Sequence, residues 1–391
     1  MKKHIGILAV SALSLAATSS AQSSKGPVPA KLQISETDRA STAAFWTTDR
    51  LAAARPMPLP EVDPLAQPHN ADLAAPVTNG ARGVMPGGAP TFTLSKEDQQ
   101  PFEAVKPMSS GEDGAATTSI SPQGFSYEMP FSNHRSPVGN GYPYSAVGKL
   151  FFFIPTGASE PSGEYVCSAS VDMNSHTVIT ARHCMFDYST GIWYNSWVFY
   201  PAYANGGNPV YHGGWSVRKL ATWVANASTF DYDIGFMQLN DDVGYGCGGS
   251  SGGRPIGSYT GWFGATWNGD YSQRQWDIFG YPAAPPFGGA YLWEDSAATG
   301  VLNPFGATNI VEVGNPQTGG TSGGPWIIGL DPFNLAIQGP GNNTYPLNNL
   351  VNGLNSFKWT YPSHPYSING PEFYTYNFLN LFSYYSGLSC P

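Results

Sequence analysis

Past about Gly141 the apolar residues fall into short runs of strand length, set apart by Gly, Pro, Asn and Ser. YPYSAVGKLFFFIP (142–155) comes first. After it come YVCSASV (165–171), TVITA (177–181), WVFY (197–200), DIGFMQL (233–239), WDIFGYP (276–282), NIVEV (309–313), PWIIGL (325–330) and NLAIQG (334–339). Many short strands parted by turn residues predict an all-β barrel or sandwich. The alternation of strands with long amphipathic helices that builds a parallel sheet is missing.

Before Gly141 the pattern is weaker. Residues 22–140 are rich in Ala, Pro, Ser, Thr and Gly with scattered charges and show no core periodicity. Ahead of them, MKKHIGILAVSALSLAATSSAQ has a basic start, an apolar run and small residues up to Ala21, the form of a secretion signal. The expected layout is a signal over 1–21, a propeptide or disordered region over 22–140, and a compact domain over 141–391. Arg135, in SNHRSPVG, offers one processing point.

Composition narrows the functional classes. The chain has 391 residues, 12% charged, with 46 glycines, 34 prolines and a net charge of -9. An acidic balance argues against a nucleic-acid or anionic-membrane partner held by a basic face. No stretch after the signal approaches the roughly 20 apolar residues that span a bilayer, so a soluble, extracellular, monomeric product is expected. In an oxidising compartment the four cysteines, Cys167, Cys184, Cys247 and Cys390, are read as disulfides. Their spacing fits no zinc cluster, and no metal or cofactor is expected.

The chemistry centres on TGGTSGGPW (318–326), where Ser322 sits among glycines. A serine hydroxyl is a weak nucleophile and needs a base in hydrogen-bond reach, itself oriented by a third group. Among the seven histidines, His183 stands at the end of a β-type run, HTVITARHC, directly before Cys184. A Cys167–Cys184 bridge would close a short loop under it, adding about 3 kcal/mol in the chain-entropy model and fixing the backbone at the base. Asp233 opens the run DIGFMQL and is preferred as the orienting acid over Asp231. Glycines flanking Ser322 permit positive φ and free backbone amides, so the N–H groups of Gly320 and Ser322 are the expected oxyanion donors.

TARHC (180–184), DIGFMQL (233–239), GYP (280–282) and GGTSGGP (319–325) together resemble the secreted trypsin-like serine endopeptidases, especially the bacterial and fungal glutamyl endopeptidase group. The resemblance covers about residues 141–391. It implies two six-stranded β-barrels, His183 as general base, Asp233 as its orienter, Ser322 as nucleophile, and protein or peptide substrates in the cleft between the barrels. Animal-type members carry an aspartate just before the serine, which pairs with the new N-terminal amine on activation; here that position is Thr321. Glutamyl endopeptidases carry a substrate-binding histidine on the strand after the serine, and Gln338 is matched to it. Pro316, six residues before the serine, supplies no acid for Lys or Arg recognition. Cys247 and Cys390 are expected to pair.

Two other readings compete. Gly320, Ser322 and Gly324 also satisfy GxSxG, the nucleophile elbow of esterases, with His364 downstream, but that elbow must lead into a helix. An inactive protease-like binding module would show a replaced catalytic residue, and all three are present. The triplets at 226–228 and 342–344 are formal glycosylation sequons.

Overall fold

Most of the apolar runs are strands with slightly shifted ends: Val147–Ile154, Gly163–Val171, Thr177–Thr180, Asn195–Pro201, Gly235–Leu239, Gln275–Gly280, Ile310–Gly314 and Pro325–Ile328. The structure is a computed structural model and describes residues 26–64, 80–92, 129–136, 141–205, 213–242, 252–269, 274–302, 304–306, 309–331, 348–360 and 366–387. The NLAIQG run lies outside the described residues.

Six antiparallel strands close the first barrel in the order Trp215–Ala225, Asn195–Pro201, Val147–Ile154, Gly163–Val171, Thr177–Thr180 and Gly235–Leu239, with the last pairing back onto the first. The second barrel runs Ser367–Pro371, Ile310–Gly314, Trp293–Leu302, Gln275–Gly280, Pro325–Ile328, Leu350–Leu354. Bridges from Gly353 to Glu372 and from Phe357 to Asn369 bring its ends together. The two expected six-stranded barrels are therefore present. Trp276 and Trp326, 5.5 Å apart edge to face, pack with Ile278, Val313 and Ile368 in the second core. Strand Trp215–Ala225 carries no clean apolar signal because Arg218 and Lys219 interrupt it, yet both are buried.

The described parts of residues 22–140 are ordered against the barrels. Val28–Gln33 pairs with Lys219–Ala225 on the first barrel. A helix over Glu36–Phe45 follows, with Ser35 accepting from the Asp38 N–H at its start and Glu36 and Asp38 in its first turn, where acids favour the helix dipole. Its end places Phe45 against Phe153 and Trp46 against Phe151, two residues on one face of the same strand. That contact explains why LFFFI is buried almost throughout instead of alternating. Further on, Gly83–Met85 and Phe131–Arg135 add to the second barrel's sheet, on Ala265–Trp267 and on Trp293–Ala297. Among the described residues no helix is long and apolar enough to cross a membrane.

Candidate active site

The Thr177–Thr180 strand ends at Ala181, and the chain turns through a single 3-10 turn, Arg182–Cys184, that lifts His183 off the sheet. Two anchors hold this turn. Cys184 is bonded to Cys167 on the neighbouring strand, with the Cα atoms 6.3 Å apart. Buried Arg182 donates from Nη1 to the Ala227 carbonyl at 2.5 Å and lies over the Tyr188 ring. Replacing both cysteines with serine is expected to cost about 2 to 5 kcal/mol of stability, read as a lowered melting temperature. An unchanged melting curve would mean that the turn is held by its other contacts alone. With its sulfurs in the disulfide, the Cys167, His183, Cys184 cluster offers no thiolate to a metal.

Asp233 lies two residues ahead of the Gly235–Leu239 strand, as the cap of the one-turn helix Phe230–Tyr232, rather than opening the strand itself. The turn aims its carboxylate at His183. Oδ2 is 2.8 Å from His183 Nδ1, and Oδ1 accepts the His183 backbone N–H at 3.0 Å. Ser356 Oγ donates to Oδ2 at 2.5 Å. Burial alone would raise this carboxyl; the charge and hydrogen bond of His183, with Arg182 and Ser356, outweigh it and hold the group below the usual carboxylate range. Asp231 is directed elsewhere: it accepts from Tyr376 Oη at 2.8 Å, and its backbone carbonyl accepts from Asn377.

Ser322 is fully buried in the turn before the Pro325–Ile328 strand. Its carbonyl accepts the Ser168 N–H at 2.8 Å and lies 3.8 Å from Cys184 Sγ, so the serine turn rests on the disulfide beside His183. Gly323 has φ +80, and a Cβ there would meet Thr180 Oγ1 at 2.1 Å and Ser168 O at 2.5 Å, which leaves glycine as the only residue that fits. Ser322 Oγ and His183 Nε2, the atoms that a nucleophile and its base would join, are both buried and bonded to no described residue. The structure thus joins His183 to Asp233 directly and brings the Ser322 carbonyl to Cys184, the residue after His183, without a Ser322–His183 hydrogen bond. Gly320, at φ +92, donates its N–H to the Met57 carbonyl at 2.9 Å.

Two supporting residues gave no sequence signal. Asn355 takes the Gly323 N–H on its carbonyl, donates from Nδ2 to Thr321 Oγ1 at 2.9 Å and to Phe279 O, and accepts from Trp326 Nε1. Thr321 Oγ1 in turn donates to Gln317 Oε1. The position before the serine therefore builds a neutral, fully buried hydrogen-bond network in place of an ion pair. Ser356, next along, supports Asp233. Gln338, Cys247, Cys390 and His364 lie outside the described residues, as does the triplet at 342–344, while Asn226 of the other triplet is exposed. Ser322 is followed by a strand, so the helix that an esterase elbow requires is absent at this place.

No protein-family model and no curated protein matches the chain. Solved structures do. A thermostable serine protease, AL20, from an extremophilic microorganism superposes with a TM-score of 0.50 at 27% identity, over 63% of this chain and 99% of the other. The protease Anisep from Arthrobacter nicotinovorans gives 0.47 at 28% identity, over 64% and 97%. A Glu endopeptidase gives 0.44 at 14% identity, over 66% and 97%. The two-barrel architecture is the chymotrypsin fold, and its likeness to AL20 supports a protease-type function.

Proposed function

We propose that the chain is a secreted serine endopeptidase that cleaves peptide bonds through an acyl-enzyme. The observation that carries this reading is the His183 imidazole, held by Asp233 at Nδ1 and next in the chain to Cys184, whose Sγ lies 3.8 Å from the Ser322 carbonyl. Ser322 Oγ attacks the substrate carbonyl carbon while its proton passes to His183 Nε2. The carbonyl oxygen takes the negative charge, facing the N–H groups of Gly320 and Ser322, where one such donor is worth about 3 to 4 kcal/mol in the transition state. His183 then returns the proton to the departing amine, leaving an ester on Ser322. Water, deprotonated by the same nitrogen, hydrolyses that ester and restores the hydroxyl. Asp233 keeps the Nδ1 proton in place and stabilises the imidazolium formed at each transfer.

Substrates are proteins or peptides, and the product is a monomeric extracellular enzyme whose disulfide suits that compartment. TARHC and GGTSGGP resemble the motifs of the glutamyl endopeptidase group. By that resemblance Gln338, which lies outside the described residues, is the position matched to the substrate-binding histidine, and a glutamine there would offer a hydrogen bond and no charge. Casein and a short-chain ester, offered to the activated protein, separate the two hydrolase readings: peptide cleavage is expected, and ester cleavage with no peptide cleavage would overturn the assignment.

A further inference from the structure

The segment after the second N-terminal helix, Thr48–Ala53, crosses from one barrel to the other over the cleft. Arg55–Pro56 pairs in parallel with Tyr165–Val166 of the first barrel. Met57 then donates its N–H to the Val166 carbonyl at 2.9 Å and accepts the Gly320 N–H on its own carbonyl, also at 2.9 Å. Beyond it, the Pro60 carbonyl accepts from Lys358 N–H and the Val62 carbonyl from Thr360 N–H, both at 2.9 Å, as Glu61–Val62 pairs with Lys358–Trp359, which follows the Leu350–Leu354 strand of the second barrel. Side chains anchor the crossing at three points. Met57 joins the first core, Leu59 packs with Trp276 and Trp326, and Val62 packs with Phe357 and Trp359. All three are less than a tenth exposed. Met57 through Glu61 also form one wall of a cavity of about 550 Å³ whose other wall includes His183 and Asp233.

We infer that residues 55–62 are an intramolecular inhibitor, a strap whose Met57 carbonyl takes the Gly320 amide and whose span across both barrels shuts peptide substrates out of the cleft. This rests on the reading of that cleft as a peptidase site. The ligand such a site takes is an extended peptide with prolines at every second position. In RPMPLPEV the prolines 56, 58 and 60 leave only the donors at 55, 57, 59, 61 and 62, stiffen the backbone toward the extended form, and make the bond bearing the Met57 carbonyl a tertiary amide without an N–H. The occupant is tethered, so it competes at a high effective concentration. It also supplies what Thr321 cannot: a means of control without the aspartate-to-amine ion pair.

The test uses the full chain, as wild type and as Leu59→Asp/Val62→Asp, which removes two apolar anchors of the strap, with Leu59→Ala/Val62→Ala as the milder form should the first not fold. Each is treated with a fluorophosphonate and assayed on casein before any processing. Both rates are expected to rise by at least about tenfold in the variant. The synthetic peptide ARPMPLPEVDP (54–64) should suppress them again competitively and be recovered intact. Wild type as fast as the variant, or a peptide without effect or consumed as substrate, would overturn the strap and leave the peptidase reading standing. A folded variant that is neither labelled nor active on casein would remove the peptidase reading, and the strap with it.

Discussion

Ser322→Ala is expected to abolish peptide-bond cleavage, with turnover falling on the order of 10⁶-fold because nucleophile and base act as a unit. The same change should leave the fold intact. In the structure Ser322 Oγ is buried and makes no hydrogen bond to any described residue, while the turn is held by the Ser322 carbonyl on Ser168 and by Gly323 and Gly324. Removing a buried hydroxyl without a partner takes away no bond and relieves a desolvated group, so the melting temperature should stay level or rise slightly. Casein hydrolysis and a thermal melt on one preparation separate the two effects. Substantial remaining turnover in a folded variant would contradict the assignment, whereas lost activity with a lost fold would show Ser322 to be structural.

Asp233→Asn should be the next most severe, lowering turnover by roughly 10⁴-fold. The side chain keeps its shape, but one carboxylate now serves three donors: His183 Nδ1, the His183 backbone N–H and Ser356 Oγ. An amide has one acceptor oxygen, so its nitrogen must face a donor or force the imidazole into the other tautomer, with the proton on the nitrogen that should receive one from Ser322. Stability should move with pH as well. Because the folded carboxyl is held below its ordinary value, its contribution is present above the unfolded carboxylate pKa of about 3.9 and is lost as pH falls through the lower folded value. Wild type should therefore melt above Asp233→Asn at neutral pH, with the gap closing in acid. A gap that does not change with pH would mean that the carboxylate is not held in its charged form by His183 and Arg182.

His183, Asp233 and Ser322 were legible because each stands beside a strong local signal: a strand end with a cysteine, an aspartate leading into an apolar run, a serine among glycines. The supporting residues had no such mark. Asn355 and Ser356 follow LVNGL, a strand with a polar residue and a glycine inside it, and their importance arises only when that strand lies against the serine turn. The strand after Asp233 was read as starting two residues too early because a one-turn helix leaves no periodicity. The described parts of the N-terminal segment left no core pattern for a different reason. Its helices and short strands have too little apolar surface to fold alone, and Trp46, Leu51, Met57, Leu59 and Val62 become a pattern only against the two barrels. Its contact with Gly320 could not be read from composition at all, since it runs through a backbone carbonyl.

The most direct test of the central claim is to label the activated protein with a fluorophosphonate and locate the adduct by peptide mass spectrometry. A single adduct on Ser322, lost in Ser322→Ala and strongly slowed in His183→Ala, is the expected result. An adduct on another serine, or no adduct in protein that cleaves casein, would contradict it.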